Sequence, residues 1–431
     1  MGNRQMMESL MSQQLNRRTV LRTVGGSAVA FFVLGCGSGV SNQGPAAARY
    51  GPPVPPDGRL VTRWRQDPFA FGSYSYLAKG AEPGDRSVLA EPIGERVYFA
   101  GEATHRVYPA TVHGAFHSGR SAAQQMRVAG LDDIVVVGAG MSGLSAARWL
   151  SDEGVSVAAI LEARDRIGGR VFTDHSLGSA VDMGASWIQG INGNVLTDIS
   201  DRAGIERLRS EWANWVVRDA MGEVVALDRL PSDYVQVVNV EMEYAADVAQ
   251  LSAEAVEEGG GLYGGDVVFP HGYEQVVDVV ADGLDVDLGA IVARIDHDAN
   301  GVVVTLSDGR TVSGGAVLVT VPLGVLKAGG IEFAPALPDE KLGAIDRLGM
   351  GHLSKVFLRF PDVFWEPDVE FFGFMGEKRG LFPYWVNMMP YTGAPILMAF
   401  HAGTPADELG GKSDDEIVAT AMDVLGMMYP G

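Results

Sequence analysis

The chain has 431 residues, 47% of them hydrophobic, enough to bury a large core organised as two interleaved domains. A net charge of −21 argues against a nucleic-acid-binding surface, and the single cysteine, Cys36, excludes an intrachain disulfide and a thiolate metal cluster. The 56 glycines fit a protein with many tight turns and close backbone approaches to a ligand.

Residues 1–36 read as an export signal. Arg17-Arg18-Thr19-Val20-Leu21-Arg22 resembles a twin-arginine motif, and the apolar stretch from Val24 to Leu34 is shorter than the ~20 residues a bilayer span needs. Val33-Leu34-Gly35-Cys36 resembles a bacterial lipobox. This makes Cys36 the candidate lipid anchor and the expected location the cell envelope, or outside the cell as a secreted protein, with a plain signal or an uncleaved anchor as alternatives. Residues 37–57, rich in Gly, Ser, Ala and Pro, read as a tether.

Within residues 58–130, a strand is expected at 96–100 and a helix at 114–127. His113 and His117 have the i, i+4 spacing of metal ligands, but no third ligand stands nearby, so packing is the favoured reading. Val128 to Asp132 is the expected turn into a segment covering 131–195. There Ile134-Val135-Val136-Val137 reads as a buried parallel strand, followed at once by Gly138-Ala139-Gly140-Met141-Ser142-Gly143 and a helix. Such a turn lets a helix amino terminus approach a pyrophosphate. The next strand ends at Glu162, placed to accept hydrogen bonds from ribose hydroxyls. Residues 196–264 are expected to form a short helical segment, in which Glu254, Glu257 and Glu258 read as a solvated helix face. In 265–335, Val292 precedes a hairpin turning at Asp308-Gly309, and Val317 to Val321 reads as another buried strand. Residues 336–431 complete a second domain that carries Lys355.

Beyond the glycine turn, several blocks closely resemble the flavin-containing amine oxidase superfamily of monoamine and polyamine oxidases and lysine-specific histone demethylases. They are Leu161-Glu162-Ala163-Arg164-Asp165-Arg166-Ile167-Gly168-Gly169-Arg170, Asp182-Met183-Gly184-Ala185-Ser186-Trp187, Pro322-Leu323-Gly324-Val325-Leu326 and Leu348-Gly349-Met350-Gly351-His352-Leu353-Ser354-Lys355-Val356. Early in the chain, Gly72-Ser73-Tyr74-Ser75-Tyr76, Val97-Tyr98-Phe99-Ala100-Gly101-Glu102 and Tyr108-Pro109-Ala110-Thr111-Val112-His113-Gly114-Ala115 resemble the family's carboxy-terminal flavin segments. The resemblance implies an α/β fold in which a Rossmann-like FAD domain of the glutathione-reductase type is interleaved with an α+β substrate domain. It implies FAD held by Gly138, Ala139, Gly140, Ser142 and Gly143 at the pyrophosphate and by Glu162 and Ala163 at the ribose. Arg164, Gly169 and Arg170 would line the phosphates and the route to the flavin, and Val292 would contact the adenine. Gly184, Ala185, Ser186 and Trp187 would pass beside the isoalloxazine, with Glu102 ordering the ribityl region and Thr111 and Val112 beside the ring. Lys355 would stand near flavin N5, and Tyr74 would form one aromatic wall of the amine cage.

The implied reaction is FAD-dependent oxidation of a primary or secondary amine, with hydride transfer to flavin N5, imine hydrolysis and reduction of O2 to H2O2. Its partners are a small-molecule amine and O2, with no nucleic acid. The motif order implies circular permutation, with ends near Tyr50 and Gly431 meeting on the surface; a rearranged gene is the rival explanation. Four departures bear on the substrate. Thr111 stands where many relatives have a second aromatic, which leaves the cage at best half aromatic. Ser73 replaces a flavin-tethering cysteine, so FAD is expected to be noncovalent. Gln189 replaces a residue for a distal ammonium, and the segment between Gly193 and Gly272 is short, as if a helical stretch were missing near Tyr234. An L-amino-acid oxidase, which needs an arginine for the substrate carboxylate, and a noncatalytic flavin-binding envelope protein remain alternatives.

Overall fold

The computed structural model describes residues 50–255 and 258–431. The twin-arginine-like and lipobox-like segments, with Cys36, lie outside the described residues, as do Glu257 and most of the 37–57 tether.

Ile134–Val137, a run of β-branched apolar residues buried on both faces, is the middle strand of a five-stranded parallel sheet. The strand order is Asp287–Leu288, Val157–Glu162, Ile134–Val137, Ala316–Val319, Val97–Phe99. Alternate residues face opposite layers. Ile134, Val136 and Leu318 pack with Ala122 and Met126 of the helix Val112–Val128 and with Leu144 and Leu150 of the helix Met141–Asp152. Val135, Val137, Val317 and Val319 pack with Val292, Ile295, Val304 and Leu306 from a four-stranded sheet on the other side. Cover on both faces explains why these strands read as continuous apolar runs. Strand Val97–Phe99, helix Val112–Val128 and strand Ile134–Val137 form the expected parallel connection, and it passes over the intervening strand Ala316–Val319.

A seven-stranded sheet builds the second domain, in the order Gly58–Val61, Leu353–Arg359, Ile396–Ala402, Tyr384–Asn387, Phe371–Met375, Trp215–Asp219, Val224–Val225. Helices Gly403–Gly410 and Asp414–Met428 bury one face through Leu409, Ile417, Ala421 and Leu425 against Val356, Leu358, Phe372 and Trp385. The opposite face, with Phe357, Phe371, Tyr384 and Phe400, meets Met183, Val237 and Met242 and looks toward the first domain.

The segment 196–264 is helical only in part. After the helix Val195–Ala203 come strands Leu208–Arg209, Trp215–Asp219 and Val224–Val225. The run Trp215-Val216-Val217 suits a pleated surface, and the buried strand Phe371–Met375 offers it a parallel partner, which outweighs a helical expectation. Near Tyr234, the short helix Ser232–Gln236 continues through a π turn, Val237–Glu241, into Met242–Tyr244, and the Tyr234 hydroxyl donates to the Pro383 carbonyl at 2.8 Å.

The two described ends lie together. The rings of Tyr50 and Tyr429 meet edge to face at 6.5 Å, and a Cβ on Gly431 would sit 3.5 Å from Pro52. Among the described residues no helix is long and apolar enough to cross a membrane.

Candidate active site

The glycine turn is shaped by two close approaches. Gly138 has φ +105°, a conformation that L side chains rarely adopt. A Cβ on Gly143 would overlap the Gly138 carbonyl oxygen, so the helix Met141–Asp152 can sit on the strand end only with glycine there. Gly140 is different: the nearest atoms to a Cβ would be 4.0 Å away, and the residue lines an open cavity. As N-cap of that helix it supplies no side-chain acceptor, so the first-turn N–H groups are left for a ligand's anion. Glu162 is fixed through both carboxylate oxygens, which accept from the N–H of Ala139 at 2.8 Å and of Arg164 at 2.9 Å.

One cavity of about 360 Å³ collects nearly all of the residues singled out from the sequence. Gly138, Gly140, Ser142, Glu162, Ala163, Arg164, Gly169, Arg170 and Val292 line its dinucleotide half. Gly184, Ala185, Ser186, Trp187, Glu102, Thr111, Val112, Tyr74 and Lys355 line the rest. Ala139 and Gly143 do not reach the cavity; they fix Glu162 and the helix approach. The open Gly140 wall, the uncapped helix start and the anchored Glu162 fit an adenine dinucleotide such as FAD.

The early and late parts of the chain are joined here by charge. Arg170 donates to Glu102 at 2.9 Å and to the Ser73 carbonyl at 3.0 Å. Glu102 also accepts from the Ser75 N–H (3.1 Å), the Ser75 hydroxyl (2.6 Å) and the Ala110 N–H (2.9 Å). Burial pushes its pKa up, but Arg170, Ser75 and Arg86 outweigh this and hold it below the ordinary carboxylate value. Arg164 is paired with Asp67 at 2.6 Å. Thr111 caps the helix Val112–Val128 by accepting from the Gly114 N–H, and the Tyr74 hydroxyl donates to the Met242 carbonyl.

Lys355 is 3% exposed, and its Nζ donates to the Asp182 carbonyl (2.7 Å), the Gly184 carbonyl (2.5 Å) and the Ser186 hydroxyl (2.6 Å). Burial pulls its pKa below the ordinary lysine value, against the opposing charge of Asp182. Lys355, Phe400 and Tyr384 are register partners across three adjacent strands and form a row on the cavity-facing side of the sheet. Tyr384 and Phe400 stack at 4.8 Å and belong to a closed ring of aromatics with Trp187, Trp212, Phe371 and Trp215. Four of the six, Trp187, Trp212, Tyr384 and Phe400, line the cavity. Thr111 lines the same cavity, and three of these four aromatics, Trp212, Tyr384 and Phe400, were not singled out from the sequence. Strand alternation was the only local signal for Tyr384 and Phe400, while Trp212 lies in a turn. Gln189 and Glu243 also line the cavity.

Behind the ring, the Trp187 indole donates to the Ser210 hydroxyl at 2.9 Å, Ser210 and Tyr391 share a hydrogen bond of 3.1 Å, and the Tyr391 hydroxyl donates to Glu370. Burial pushes Glu370 up to about 7. His113 lines the cavity and packs edge-on to Tyr108 at 4.8 Å; among the described residues no group of three His, Cys, Asp or Glu is placed to hold a metal. Glu254 is exposed as expected, but Glu258 is not on a solvated face: its side chain is 4% exposed and ion-paired with Arg86. Arg86 is buried because this carboxylate satisfies it, a pairing across 172 positions that no local pattern reveals.

Comparison with known proteins agrees with this geometry. The family model described as flavin containing amine oxidoreductase matches residues 48–127, 141–238 and 210–431. Polyamine oxidase 4 of Oryza sativa subsp. japonica is 34% identical over 356 residues, covering 69% of this chain and 73% of that protein. Polyamine oxidase 2 of Arabidopsis thaliana is 33% identical over 356 residues, covering 69% and 72%. Lysine-specific histone demethylase 2 of Homo sapiens is 30% identical over 358 residues, covering 69% of this chain but 43% of that protein. Among solved structures, a putrescine oxidase double mutant with redesigned cofactor binding superposes with a TM-score of 0.54 at 22% identity, covering 69% of this chain and 82% of that one, a likeness of fold.

Proposed function

Because the chain belongs to the flavin-containing amine oxidoreductase family, we propose that it is an FAD-dependent oxidase of primary or secondary amines, similar to polyamine oxidases. FAD held by Gly138, Gly140, Ser142 and Glu162 would supply the acceptor for a hydride from the carbon beside the amine nitrogen and would pass the two electrons to O2 to give H2O2, with water hydrolysing the imine. One observation carries the reading: Lys355, Tyr74 and the aromatic walls share a single cavity with the glycine turn and Glu162.

The chain's own groups have separable tasks in this proposal. Gly138, Gly140, Ser142 and Glu162 hold the dinucleotide, and Glu102 fixes Arg170 and the Ser75 and Ala110 backbone beside it. Ser73 has no thiol to tether a flavin, so FAD is held noncovalently. Trp187, Trp212, Tyr384, Phe400 and Tyr74 exclude water and disfavour the ammonium form of the substrate, which must shed its proton before its lone pair can assist hydride loss. Lys355, held by three acceptors, directs its Nζ into the cavity as the proton-handling group. The lining arginines, Arg164 and Arg170, are committed to Asp67 and Glu102, which favours an amine over an amino acid with a carboxylate to be met.

The early motif blocks support a circular permutation of the family's chain order, since both described ends lie side by side. The Arg17 to Arg22 motif and Cys36 support twin-arginine export with a lipid anchor. The purified protein should be yellow with bound flavin, and members of a panel of mono-, di- and polyamines should bleach the flavin anaerobically and release peroxide when O2 is present. A yellow protein inert to every amine would leave only a flavin-binding role, and activity confined to L-amino acids would replace the amine reading.

A further inference from the structure

Behind Glu102 lies a line of buried charge that the reaction does not call upon. Arg86, on the helix Gly84–Ala90, is 1% exposed. It donates to Glu258 through Nε at 2.6 Å and Nη2 at 2.9 Å, and its Nη1 donates to the Ser75 hydroxyl at 2.8 Å and the Ala103 carbonyl at 3.0 Å. The Ser75 hydroxyl in turn donates to Glu102 at 2.6 Å, and Glu102 accepts from Arg170 at the cavity wall. Glu258, Arg86, Glu102 and Arg170 thus alternate in sign, with one hydroxyl between the inner pair.

The chemistry of the guanidinium fixes the sense of this line. Arginine has no acceptor, so the Ser75 oxygen must accept from Arg86, and the single Ser75 proton is free to point only at Glu102. Glu102 then receives four donors: the Ser75 N–H and O–H, the Ala110 N–H and Arg170. That number fills the lone-pair sites of a carboxylate and favours the ionised form. Without Arg86, the Ser75 hydroxyl can rotate away and Glu102 loses both a donor and a nearby positive charge. Glu258 does for Arg86 what Arg86 does for Glu102: its bidentate pairing holds the guanidinium plane.

We propose that Arg86, held by Glu258, is a positioning residue of the cofactor site, acting through the Ser75 hydroxyl to keep Glu102 anionic and Arg170 in place for FAD. The proposal rests on the FAD reading above and concerns affinity for the cofactor, not a role in the reaction.

Titration of the apoprotein with FAD, followed by flavin fluorescence and set beside thermal stability, tests it. Arg86→Met should weaken FAD affinity by roughly tenfold or more, the scale of one lost charge-assisted hydrogen bond, and Arg86→Lys should restore part of it. Arg86→Met leaves Glu258 buried and unpaired, so it also lowers stability. The pair Arg86→Met with Glu258→Gln removes both charges and should recover stability while FAD affinity stays low. Ser75→Ala leaves the Arg86–Glu258 pair intact and should weaken FAD to a similar extent in a stably folded protein. Wild-type FAD affinity in Ser75→Ala, or recovery of affinity together with stability in the double variant, would overturn the proposal. A wild-type protein that takes up no FAD would instead remove the reading on which it rests.

Discussion

Lys355 enters the cavity from an interior strand, and each of its three ammonium protons has an acceptor. Two influences compete: burial disfavours the charge, while three oxygens and the nearby Asp182 favour it. Burial prevails, so the unfolded chain binds more protons than the folded one from the lowered pKa up to the ordinary lysine value of 10.5. The contribution of this group to stability therefore rises with pH across that window and is lowest below it. Lys355→Met should abolish that rise in denaturant midpoints measured over alkaline pH. It should also slow anaerobic flavin reduction by about a hundredfold or more, the lower range for a proton-handling group, with the flavin colour retained. Reduction at the wild-type rate would remove Lys355 from the mechanism. The motif around Lys355 was readable from the sequence, but its burial was not. A lysine between Ser354 and Val356 is ordinarily a solvated charge, and only the packing of Asp182, Gly184 and Ser186 against it shows otherwise.

Between elements, the legible parts were those whose signal is local. The strand–turn–helix at Ile134 to Asp152 and the strand ending at Glu162 follow from β-branched runs and obligatory glycines within 30 residues. The aromatic ring was not legible, because its members come from five strands and a loop, and register decides which side chains share a face. The interface between the early helix Val112–Val128 and the dinucleotide helix Met141–Asp152 offers a direct test of element packing. A Cβ on Gly119 would overlap the Ser142 carbonyl oxygen, so Gly119→Ala must push the two helices apart, at a cost of about 1–3 kcal/mol for overpacking. Ser142 lines the cavity, so FAD affinity should fall as well. Gly84→Ala, where a Cβ meets nothing within 4 Å, should leave both quantities unchanged or slightly improve stability. Equal behaviour of the two variants in thermal melts and FAD titrations would show that this helix contact does not constrain the site.

For the whole molecule, the question is why motifs from opposite parts of the chain can build one site. The answer lies in the sheets: Val97–Phe99 closes one edge of the parallel sheet beside Ala316–Val319, and Gly58–Val61 closes an edge of the seven-stranded sheet beside Leu353–Arg359. Both pairings need position in space, not order along the chain. The helix Asp414–Met428 packs on the same sheet that Gly58–Val61 joins, which brings Tyr429 to Tyr50. A short Gly/Ser linker from Gly431 to Tyr50 therefore spans a small gap. The turn from Val128 to Asp132, with Val128 86% exposed, is a surface site where the chain can be opened without cutting a sheet. A rearranged gene that starts at Asp132, joins Gly431 to Tyr50 and ends at Ala129 should fold, bind FAD with affinity close to that of the parent, and keep its activity. Loss of folding in that variant, with the parent binding FAD, would mean that the Val112–Val128 to Ile134–Val137 connection is needed to assemble the site. In that case shared sheet positions would not be enough to specify this fold, and the proposed permutation would lose its physical basis.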